Sequence, residues 1–117
     1  MKYIITENKL NNVALSWMNR NFSSEQLEIV KSKDYPSSVF FKKTGKVVME
    51  QDKETKFFWF SHKEIWSFFE SFFGMEYQQI QEVLGYWLDE TLKLKGYTPG
   101  NPNIVATFWL EETLKLK

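Results

Sequence analysis

Between Lys56 and Gly96 the chain reads KFFWFSHKEIWSFFESFFGMEYQQIQEVLGYWLDETLKLKG, and this stretch holds twelve of its twenty-one aromatic residues. Large apolar side chains in such density need cover from water, so the remaining segments have to be arranged around them. Local signals divide the stretch into three elements. Lys56 to Phe60 is an aromatic strand. Ser61 followed three residues later by Glu64 is a capping box, in which the serine hydroxyl accepts from the backbone N–H of the glutamate, and it predicts a helix from His62. Ile65, Trp66, Phe68, Phe69, Phe72 and Phe73 cover most of that helix's circumference and leave Lys63, Glu64, Ser67, Glu70 and Ser71 for water. Trp66, Phe69 and Phe73 are assigned to the central core by their spacing of three and four.

Gly74 can take the left-handed conformation that ends this helix, and Met75-Glu76 opens a second, so the pair reads as a helical hairpin or a sharp kink. In the second helix Tyr77, Ile80, Leu84, Trp87, Thr91 and Leu94 form an apolar stripe widened by Val83 and Leu88. Gly85 inside it predicts close approach by another element. Lys93, Lys95 and Gly96 supply a favourable last turn and a stop.

Upstream, Leu10, Val13, Ala14, Trp17 and Met18 recur at helical spacing, with Thr6 as N-cap, Asn19-Arg20-Asn21 as the stop and residues 1 to 6 extended. Gln26 to Lys31 is a strand, with Leu27, Ile29 and Lys31 on one face and Glu28 and Val30 on the other. A turn at Asp34-Tyr35-Pro36-Ser37 leads into Ser38 to Lys43 and Lys46 to Gln51, which pair as a hairpin about Thr44-Gly45. A second turn within Asp52-Lys53-Glu54-Thr55 brings in the aromatic strand. The fold class is therefore α+β: an N-terminal helix, a three- to four-stranded antiparallel meander and a C-terminal helical hairpin with a helical tail.

Residues 1 to 100 form one domain and 101 to 117 the tail. Trp109 to Lys117 repeats Trp87 to Lys95 with a single Glu for Asp exchange, which reads as a partial duplication. One repeated half-helix is too short for a solenoid. Asn101 with Pro102 at the first helical position predicts a helix over 102 to 115, against a competing extended reading of Ile104 to Leu110.

Composition excludes several function classes. With no cysteine there can be no disulfide, iron–sulfur cluster, thiolate zinc site or cysteine nucleophile, and a reducing cytoplasmic setting fits. No apolar run is long enough to span a bilayer, and the opening MKYIITENKL has neither a long apolar run nor a small-residue cleavage site, so a soluble protein is expected. His62 is the only histidine and cannot make a metal site alone, no serine stands in a nucleophile elbow, and no glycine pattern cradles a phosphate. Glu64, Glu70, Glu76, Glu82, Asp89 and Glu90 have the spacing of a solvated helix face rather than a glycosidase pair. We expect no enzyme, no cofactor and no metal.

Two binding readings remain. Fifteen basic and fifteen acidic residues cancel, but residues 31 to 63 carry eight lysines against four acids, whereas 64 to 90 carry six acids and no base. A nucleic-acid face would use Lys42, Lys43, Lys46, Lys56 and Trp59, because aromatic residues on a basic sheet stack single-stranded bases. A protein interface would use Phe108, Trp109, Leu110, Leu114 and Leu116. The duplicated segment cannot share the groove its first copy occupies, which predicts a homodimer joined through the tails. A small non-catalytic interaction module that self-associates, or binds another protein, is the favoured expectation, and single-stranded nucleic-acid binding the alternative. The opening Met1 to Glu7, MKYIITE, resembles the start of small uncharacterised phage and marine environmental proteins. That resemblance covers seven residues, implies an accessory role in a phage or its host and transfers no site.

Overall fold

The structure, a computed structural model, describes residues 9 to 108. Helix α1 (Lys9–Asn21) leads into strands β1 (Glu28–Ser32), β2 (Tyr35–Lys43), β3 (Lys46–Asp52) and β4 (Phe57–Ser61). A π-helical turn (His62–Trp66) then runs into α2 (Ser67–Ser71), α3 (Tyr77–Thr91), a short 3-10 turn (Leu92–Lys95) and β5 (Asn103–Thr107). The α+β class stands. The sheet has five strands in the order β1-β2-β3-β4-β5, antiparallel throughout except that β5 lies parallel to β4.

The helical tail expected from residue 102 is the main correction. Asn103–Thr107 is a strand, as the competing extended reading had it, and pairs Ile104 with Phe58 and Ala106 with Phe60. The exposed edge of β4 needs hydrogen-bond partners, and β-branched Ile104, Val105 and Thr107 suit a pleated neighbour better than a helix. Residues 109 to 115 of that expected helix, the repeat at 109 to 117, the Thr6 cap and the extended start all lie outside the described residues.

Other boundaries move for local reasons. The turn expected at 34 to 37 is tighter: Ser32 pairs with Tyr35 across Lys33-Asp34, and Pro36 lies inside β2. Thr44 (φ 49°) and Gly45 (φ 83°) both take left-handed conformations, the geometry of a type I′ hairpin turn. The Ser61 hydroxyl accepts from Glu64 N at 3.2 Å, so the predicted cap forms. Gly74 and Gly96 are both left-handed where stops were expected.

One face of the sheet meets the helices. Phe41, Met49, Phe58, Phe60 and Ile104 from the strands join Ala14 and Met18 of α1, Ile65, Trp66 and Phe69 of the segment 62 to 71, and Ile80, Leu84 and Trp87 of α3 in one cluster. Instead of closing a hairpin with α2, α3 packs chiefly on α1. Gly85 is among the buried residues of α3. Among the described residues, the other sheet face carries a small cluster of Phe40, Val47 and Val30, drawn from strands.

Candidate protein interface

Helix α1 buries only part of the stripe its apolar pattern predicts: Ala14 and Met18 are fully buried and Trp17 partly so. Its buried residues are Asn11, Ala14 and Met18, and Asn11 accepts a hydrogen bond from Gln79 Nε2 of α3 at 2.9 Å. Asn11 thus takes an inward position on the helix, while Leu10 and Val13 are 37% and 45% exposed. Trp17 shares their face at i, i+3, i+7 spacing and is half-buried.

A second element continues this surface. The Trp17 ring stacks on Phe68 with centroids 4.2 Å apart and planes 11° apart, and Phe68 stacks in turn on Phe72 at 4.8 Å. Phe72 is 71% exposed. Leu10, Val13, Trp17, Phe68 and Phe72 thus form an apolar ridge from α1 to the end of α2. The sequence pattern puts Phe72 on the covered part of a mostly buried helix; with apolar residues around nearly its whole circumference, so short a helix cannot bury every side. That excess was the legible signal, although it did not say which ring would be left out. Phe69 is fully buried and Trp66 nearly so, whereas Phe73 is only partly buried, meeting Trp17 and Phe69 edge-on.

Of the five residues assigned to a tail interface, Phe108 alone falls among the described residues. It is 74% exposed, with its ring 4.3 Å from that of His62, whose Nε2 lies 3.0 Å from Glu70 Oε1. Trp109, Leu110, Leu114 and Leu116 lie outside them. In the first copy of the repeat Trp87, Leu88, Thr91 and Leu92 are buried, but Leu94 is 77% exposed. The expected stripe ends early because the last turn tightens to 3-10 and rotates Leu94 outward.

The residues of the nucleic-acid reading go to separate places. Lys42 lies on the sheet face of Phe40 and Val47, opposite Val47. Lys43 Nζ sits 4.5 Å over the Phe22 ring, Lys46 Nζ lies 3.4 Å from Glu64 Oε1, and Lys56 stands in the β3–β4 turn. Trp59 is on the same face, its ring 5.8 Å from Phe57 and nearly parallel to it, but their register partners across β3 are Glu50 and Asp52. The rings that would stack bases therefore sit beside carboxylates. Among the described residues, no group of three or more histidine or acidic side chains is arranged to hold a metal ion, and no helix is long and apolar enough to cross a membrane.

Both sheet edges are guarded. Gln81 Nε2 of α3 donates to the Ile104 carbonyl of β5 at 2.8 Å, and β1 is only five residues long with Glu28 and Lys31 exposed. No protein-family model, curated protein or solved structure matches this chain.

Proposed function

We propose that this protein is a small non-catalytic interaction module that self-associates, with the ridge of Leu10, Val13, Trp17, Phe68 and Phe72 covered by a second copy. The observation that carries the reading is Phe72, a large ring 71% exposed at the end of a continuous aromatic stack. Contiguous exposed apolar surface of this kind marks an interaction site. The guarded sheet edges favour association through a side-chain surface over strand addition. Residues 109 to 117 repeat the sequence of residues 87 to 95, and their apolar side chains are proposed for the same dimer. A reducing cytoplasm is the compartment proposed, and an accessory role in a phage or its host the setting.

Sedimentation velocity at tens of micromolar tests this. The full chain should sediment as a dimer, and Phe72→Glu should give a folded monomer, because the ring it replaces contributes little to the core. Removing residues 109 to 117 should weaken the dimer. A monomeric wild-type chain overturns the reading. Single-stranded nucleic-acid binding rests on the half-buried Phe57 and Trp59 pair. It predicts binding to mixed oligonucleotides that falls steeply with salt, and no binding at low salt retires it.

A further inference from the structure

Apart from the ridge, the β3–β4 turn and the loop 98 to 102 line a cleft of about 340 Å³. Its wall is fixed by hydrogen bonds. The Tyr97 hydroxyl donates to Gln51 Oε1, and Gln51 Nε2 donates to the Pro99 carbonyl at 2.7 Å. Burial pushes the Tyr97 hydroxyl up to about 12, so it stays a neutral donor and adds no negative charge beside the cleft. Gln51 is itself buried.

Two lysines line the cleft, and no acidic residue does. Lys53 Nζ rests 4.8 Å over the Tyr97 ring. Its backbone is anchored by a bond from Lys53 N to Ser37 O at 2.9 Å. The nearby Asp52 carboxylate is turned to the turn's own backbone, accepting from Glu54 N at 2.9 Å, and does not line the cleft. Lys56 has φ 66°, a left-handed conformation that costs a side chain-bearing residue stability and that glycine adopts freely. The conformation is held from both sides: Lys56 N donates to Asp52 O and Asn103 N donates to Lys56 O, each at 2.8 Å. A lysine kept where glycine would be easier is the kind of local strain that accompanies ligand sites.

We propose that this cleft binds the phosphate group of a small phosphomonoester. Two lysines among the lining residues, with no acid beside them in the lining, suit a dianion, and lysine serves phosphate as a point charge. The volume is within the range of small-molecule sites and exceeds what phosphate alone fills, and Pro99 and Pro102 give an apolar wall for the organic part. The site is independent of the self-association surface, since none of its residues belongs to the ridge.

The test is a titration of the full chain with inorganic phosphate at constant ionic strength, chloride making up the balance, followed by backbone amide chemical shifts. Saturable shifts at Lys53, Lys56, Thr98 and Asn101 are expected. Lys53→Gln and Lys56→Gly should each weaken binding about tenfold, the loss of one charge-assisted bond. Lys56→Gly also relieves the left-handed backbone, so its urea midpoint should hold or rise, which separates lost binding from lost folding. Shifts that chloride alone reproduces, or an affinity unchanged in both variants, overturn the proposal.

Discussion

The Ser38 hydroxyl donates to Glu50 Oε2 across 2.7 Å, and Glu50 is buried on the sheet face that carries the small cluster of Phe40, Val47 and Val30, where Phe40 is its register partner. Burial pushes the Glu50 carboxyl above its ordinary value of 4.5, the bond from Ser38 opposes the shift, and neighbouring Asp52 adds to it. Folding therefore favours the protonated form. The stability this group contributes is complete below the unfolded-state value and is lost as pH rises through the higher folded-state value. Glu50→Gln keeps an acceptor for Ser38 and removes the charge, so it should be more stable than wild type at neutral pH, with the difference shrinking as pH falls through the raised folded-state value toward 4.5 and level below that. Asp52 keeps its opposite slope in both proteins: burial raises it, but the backbone N–H groups of Glu54 and Thr55 outweigh this and hold it low. Urea midpoints across a pH series decide the matter; parallel curves for the two proteins would show that Glu50 is not the titrating group.

Phe69 is fully buried, touches Trp17 edge-on with centroids 5.8 Å apart, and belongs to the cluster that joins helices to sheet. Phe69→Ala removes a ring from a site that cannot collapse without moving both layers, so it should cost about 3 to 5 kcal/mol. That is a large share of a small domain's stability. Chemical denaturation measures it, and an unchanged midpoint would remove Phe69 from the core.

Thr44 carries φ 49°, unfavourable for a β-branched residue, in a turn whose geometry asks for Asn-Gly. Thr44→Asn should therefore stabilise the hairpin by up to about 1 kcal/mol, the lower end of the left-handed penalty. The gain should appear as a higher urea midpoint at constant m-value, whereas a loss would mean that the bond from Thr44 Oγ1 to Lys43 O matters more than backbone strain.

Legibility followed the range of the interaction. The Ser61 cap, the Thr44-Gly45 turn and the stops at Gly74 and Gly96 depend on neighbours within about four residues, and each forms where the sequence places it. The burial of Asn11 goes with a bond from Gln79, sixty-eight positions away, whereas periodicity alone favoured Leu10 and Val13. The cleft was hidden for the same reason: Lys53 and Lys56 meet Pro99 and Pro102 only when β5 pairs with β4.

Residue order by itself determined the α+β class, the antiparallel run from β1 to β4 and the aromatic centre at Trp66 and Phe69, because alternation, helical spacing and turn chemistry are written into adjacent residues. Only the tertiary structure decided that Asn103–Thr107 is a strand, since its conformation answers to the open edge of β4 and not to its own neighbours. It also decided which aromatic rings face water. The chain carries more apolar side chains around α1 and α2 than one core can enclose, and the choice of Phe69 inside and Phe72 outside was made by the packing of the layers against one another.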